Sequence, residues 1–136
     1  MNAIIPDLQS AILCDDVRQE RNGKFILIGL FDALVVQSLP VRYPRLFMVT
    51  RWCSGEGEFK QRTRLLKPDQ STSLVEGQTI PVRLPSTEAT ATNVEVFLNV
   101  EFQQGGTHWV EVLLDGDLKV RYPLRVGLLP KQPGAP

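Results

Sequence analysis

A chain of 136 residues is long enough for one domain with a proper core, burying about two-thirds of its unfolded surface. Fifteen Lys plus Arg balance fifteen Asp plus Glu, so net charge argues for neither nucleic acid nor an anionic membrane. One histidine and two widely spaced cysteines make a poor zinc set, and neither metal nor cofactor is expected.

The opening Met1–Asp7 has no basic start and no long apolar run, and no stretch of about 18 apolar residues occurs anywhere. The expectation is a cytoplasmic protein that does not enter a membrane, with Cys14 and Cys53 as reduced thiols. Leu8–Val17 and Lys24–Phe31 read as two strands joined through Asn22-Gly23, which suggests a hairpin closed by a type I′ turn. Phe25-Ile26-Leu27-Ile28-Gly29-Leu30-Phe31 is almost wholly apolar, so it is expected to be a central strand covered on both faces. Gly29 within it marks a bulge or a close backbone approach near Asp16.

A short strand follows at Asp32–Val36, then an extended Pro-punctuated connection at Leu39–Pro44 and a strand at Leu46–Cys53. Glu58–Leu66 alternates cleanly, with Phe59, Gln61, Thr63 and Leu65 on one face and Lys60, Arg62 and Arg64 on the other. Pro68–Gly77 reads as a polar loop around a weak strand. Thr79–Leu84, which contains Pro81, reads as a sheet edge because proline cannot donate to the ladder.

Val94–Val126 reads as a three-strand antiparallel meander with joints at Gln103–Thr107 and Asp115-Gly116-Asp117. Opposite residues share a face, so pairing Phe102 with His108 and Val112 with Val120 turns Val94, Val96, Leu98, Val100 and Phe102 inward. The inner face of the other arms is then Val110, Val112, Leu114, Leu118, Val120, Tyr122, Leu124 and Val126. Outside remain a Glu111–Arg121 ion pair and an apolar group, Phe97, Trp109 and Leu113, awaiting a loop, the tail or a partner.

No window shows a helical apolar period, and the pattern predicts an all-β, two-sheet antiparallel sandwich of immunoglobulin-like type, ahead of a partly open barrel. Residues 1–127 form one domain, and the Pro-rich 128–136 are read as a flexible tail.

Signals for chemistry are few. His108 is turned to the core at a strand end, with no Ser or Cys near it in a nucleophile motif. Asp115 and Asp117 are what a turn wants for its own hydrogen bonds, and Asp15 and Asp16 sit within a strand. An enzyme is therefore not expected. Lys60, Arg62 and Arg64 form a one-sided row about 7 Å apart, an alternative polyanion or nucleic-acid surface that the acidic stretch from Leu84 to Asp117 opposes.

The Ala11-Ile12-Leu13-Cys14-Asp15-Asp16-Val17 stretch, with Asn22 to Asp32 after it and Gly106 to Gly116 later, resembles a family of small bacterial proteins classified as a domain of unknown function. The resemblance implies a cytoplasmic β-sandwich and brings no catalytic residues with it. The leading functional expectation is a non-enzymatic interaction or self-assembly module, binding itself or another protein through Phe97, Trp109 and Leu113.

Overall fold

The computed structural model describes residues 3–130 and is all-β. Ten strands run in chain order: β1 (Asp7–Gln19), β2 (Phe25–Leu30), β3 (Ala33–Val36), β4 (Val41–Cys53), β5 (Gly57–Leu66), β6 (Ser73–Glu76), β7 (Ile80–Leu84), β8 (Thr90–Phe102), β9 (Gly106–Leu114) and β10 (Asp117–Leu128). One sheet has the order β2-β1-β4-β8, and the other has β3-β10-β9-β5-β6 with β7 also on β5. All pairs are antiparallel except β3 with β10. The two sheets stay separate, giving the expected sandwich and not a barrel. Among the described residues no helix is long and apolar enough to cross a membrane.

The first hairpin forms as the sequence indicates, with a different turn. Asn22 keeps a negative φ, Gly23 sits at φ 92, and the Gly23 amide donates to the Glu20 carbonyl at 2.9 Å. This is a three-residue loop with glycine in the left-handed position, in place of type I′. Gly29, at φ 70, lies opposite Asp15: a Cβ there would overlap the Asp15 carboxylate. The close approach is real, one residue away from the expected Asp16.

β2 is not central. It is an edge strand, and Phe25, Ile26, Ile28 and Leu30 are 39–60% exposed. An apolar run suits two covered faces, but here the fold supplies cover for neither.

The meander is also corrected. β8 pairs with β4, so it belongs to one sheet while β9 and β10 belong to the other. Gln103–Gly105 is therefore a crossover between layers and not a hairpin loop. Freed from β9, β8 reverses the expected parity: Phe97 is buried, whereas Val94, Val96 and Leu98 are exposed. Leu98 and Asn99 both face water, with Asn99 at φ 53, and the facing Pro44 and Arg45 do the same, so the two strands switch faces together. Val100 and Phe102 are buried as expected.

The β9–β10 hairpin keeps the predicted pairs Val112 with Val120, Glu111 with Arg121 and Val110 with Tyr122. Its turn is the two-residue Asp115-Gly116, both at positive φ, and a register shift between Leu118 and Val120 restores the pairing. Leu118 is thereby exposed at 50%, against the inward position expected. β10 continues to Leu128, and the Leu129 amide donates to the Val36 carbonyl at 2.8 Å, so residues 128 and 129 are tied to β3 and are not a free tail. Residues 131–136 lie outside the described residues.

The core divides in two. Leu13, Leu46, Met48, Phe97, Phe102 and Leu124 anchor one cluster, and Trp52, Phe59, Val82, Leu84 and Leu114 the other.

Candidate functional site

The three residues expected to form an outward apolar group do not meet. Phe97 is 6% exposed and packs in the larger core cluster, facing the opposite sheet. Trp109 and Leu113 are half-buried on the outer face of the six-stranded sheet. Between them lies Glu111, its carboxylate held by Arg64 Nε at 2.5 Å and by Arg121 Nε at 2.7 Å. Gln70, from the loop after β5, reaches Arg121 on β10, and Pro68 lies against Gly106. That loop thus crosses β9 between Gly106 and Glu111, on the Trp109 side of the ion pairs.

Glu111 is 1% exposed, an acid buried on an outer face by its own partners. Burial alone would push its carboxyl up, but the Arg64 and Arg121 guanidiniums outweigh it and hold the carboxyl below the usual range. The basic row is spent in the same way. Arg64 serves Glu111, Arg62 pairs with Glu76 at 3.5 Å and donates to Thr79, and among the described residues only Lys60 of the three has no carboxylate partner. A polyanion would have to displace these acids first.

His108 is buried with its ring edge-on to Phe102 at 5.1 Å and its Nδ1 3.3 Å from the Gly106 carbonyl. Burial lowers its proton affinity. Asp115 accepts from the Lys60 amide at 2.9 Å, a turn-fastening role. Among the described residues no group of three or more His, Cys, Asp or Glu is placed to hold a metal ion.

Two features emerge that residue-by-residue reading missed. The first is the outer face of the four-stranded sheet. Leu30, Cys14, Phe47 and Val96 lie in one cross-strand row, with Ile12, Val49 and Val94 in the next. On the other side of that row come Ile28, Asp16, Arg45 and Leu98. Cys14 and Val49 in these rows are buried, and Asp16 and Arg45 carry charge on the two inner strands. The exposed apolar groups, Ile28 and Leu30 on β2 and Val94, Val96 and Leu98 on β8, therefore lie along the two edges of the sheet. The signal was present in the wholly apolar Phe25–Leu30 run, but it also fits a central strand.

The second is a polar belt between the two core clusters. Gln61 Oε1 accepts from Thr50 Oγ1 at 2.8 Å, Trp52 Nε1 at 2.8 Å and Asn93 Nδ2 at 3.2 Å. Gln61 Nε2 is shielded from solvent without a hydrogen-bond partner among the described residues, and the equally shielded Thr63 Oγ1 and Glu95 Oε1 have each other as neighbours. Glu95 Oε2 accepts from the Gln78 amide, and burial pushes its carboxyl up. Gln61 and Thr63 were read on the core face of β5 from alternation, but their convergence with β4 and β8 depends on sheet packing that no local pattern encodes.

A family model described as a family of unknown function, DUF6941, matches residues 9–127. The chain belongs to this family. No curated protein matches the chain. The DUF6941 match spans every strand from within β1 to within β10.

Proposed function

We propose that this DUF6941 chain is a non-enzymatic self-assembly module, and that its partner is a second copy joined along the free edge of β2. The observation that carries the reading is the uncovered apolar edge strand. Phe25–Leu30 has no charge and no proline to discourage pairing, although natural edge strands usually carry such guards. Gly29 adds twist at this edge but no side chain to obstruct a neighbour.

Charge complementarity selects a second copy. β2 begins just after Lys24 and ends at Leu30, two residues before Asp32, and among the described residues neither Lys24 nor Asp32 makes an ion pair. Antiparallel pairing about a twofold axis at Ile28 sets Lys24 of each copy opposite Asp32 of the other. The same register sets Ile26 beside Leu30 and Phe25 beside Phe31, so apolar side chains exposed in one copy gain cross-strand neighbours.

Size-exclusion chromatography with light scattering tests this. The wild-type chain is expected to run at twice its mass, and Ile28→Lys, at an exposed site that needs no core rearrangement, is expected to run as a folded monomer. A wild-type monomer, or a dimer indifferent to Ile28→Lys, would overturn the reading. On this proposal Trp109→Glu leaves the dimer intact, since Trp109 belongs to the other sheet.

A further inference from the structure

Where the two sheets open along the far edge of β8, a groove of about 580 Å³ runs between β8 and the β6–β7 connection. Val75, Ile80 and Phe97 line it on the side that Glu95 shares, and Val94, Val96 and Leu98, on the opposite face of β8, line its outer rim. No lysine or arginine lines it, and among the described residues Glu95 has no cation within ion-pair distance. The other acid of the lining, Glu76, is already paired with Arg62. A carboxylate held in a largely apolar site without a counter-ion is costly, and proteins ordinarily pair such groups. Thr63, 1% exposed, adds a hydroxyl beside this carboxylate, and deeper in the belt the Gln61 Nε2 has no hydrogen-bond partner among the described residues.

We propose that this groove binds a small organic cation, a primary ammonium on a short aliphatic stem, with Glu95 as its counter-ion. The stem lies along Val75 and Ile80, and the ammonium donates to the Glu95 carboxylate. The volume falls within the range of small-molecule sites. A compact ligand fits better than an added peptide strand. Gln78 is already hydrogen-bonded to Glu95 and Gly77 is packed on the carboxylate, so no strand can run between β8 and that segment.

The test is an NMR titration of the isotope-labelled chain with n-pentylamine at neutral pH, with n-pentanol and n-pentanoate as controls. Pentylammonium is expected to shift amide signals of Val94 to Leu98 and Gly77 to Ile80 saturably. Pentanol and pentanoate are expected to bind weakly or not at all, and Glu95→Gln to weaken pentylammonium by about tenfold, as loss of one charged hydrogen-bond partner does. If Glu95→Gln does not fold, Ile80→Lys serves, because its tethered ammonium fills the same wall and is expected to abolish pentylammonium binding. Equal binding of pentanol, or no saturable shift with the amine, overturns the proposal. Binding of Nα-acetyl-lysine amide with none of pentylamine would overturn the free-amine source in favour of a peptide-borne lysine.

Discussion

At the scale of single residues, Glu111 and Glu95 illustrate opposite outcomes for a carboxylate removed from water. Glu111 has two guanidiniums and is held below the carboxylate range; Glu95 has none and is pushed above it. A lowered folded-state pKa means that Glu111 contributes stability above its ordinary pKa, and this contribution is lost as pH falls through the lowered value. Glu95 runs the other way, since its protonation favours the folded state. Glu111→Gln is therefore expected to cost about 1–3 kcal/mol at neutral pH by denaturant unfolding, tempered because Arg64 and Arg121 are each about a third exposed and find water when released. The difference from wild type is expected to shrink only in acid, below the ordinary glutamate range. A gap that persists undiminished there would mean that packing, and not charge, carries the effect. Gly29→Ala is expected to cost about 1–3 kcal/mol, combining a left-handed φ with overlap on Asp15. Asp15→Ala in the same chain should recover part of that loss in thermal melts.

At the scale of elements, what was legible depended on whether a local pattern had only one structural solution. β5 alternates strictly, and its core face of Phe59, Gln61, Thr63 and Leu65 was readable from period two alone. The β9–β10 register was readable beyond its turn, because pairing Val112 with Val120 and Glu111 with Arg121 satisfies both faces. The turn was not, since a two-residue loop with a register shift and a three-residue loop reach the same pairs. β8 failed for a different reason. A Gly-rich joint permits either a hairpin or a crossing between sheets, and choosing the hairpin fixed every side chain of β8 against the wrong partner. Phe97, Trp109 and Leu113 were grouped by that choice and are separated by the crossing. Lys60, Arg62 and Arg64 were correctly placed on one outer face, but the acids that engage two of them come from β6 and β9, out of reach of any local pattern. β2 was read as covered because apolar strands usually are; on the self-assembly proposal its cover is a second copy.

At the scale of the molecule, the sandwich is two apolar clusters joined through a polar belt, and the belt hinges on Gln61. One side-chain oxygen takes three donors from β4 and β8, tying β5 to the opposite sheet. Gln61→Leu keeps the volume but strands all three donors, so a loss of about 3 kcal/mol or more is expected in chemical denaturation. A near-neutral result would mean that the belt is hydrated and does not tie the sheets. The belt also opens at the β8 edge, on the side of the four-stranded sheet away from β2. Assembly and the proposed cation groove therefore use opposite edges, and neither blocks the other.

The central claim is that β2 pairs with itself in one register, and a charge swap at its ends addresses that claim most directly. Lys24→Glu alone and Asp32→Lys alone each set like charges opposite one another across the twofold axis. Light scattering is expected to show each single variant shifted toward monomer and the combined Lys24→Glu, Asp32→Lys chain restored to the wild-type dimer. Single reversals that leave the dimer unchanged, or a combined variant no better than either, would contradict the account.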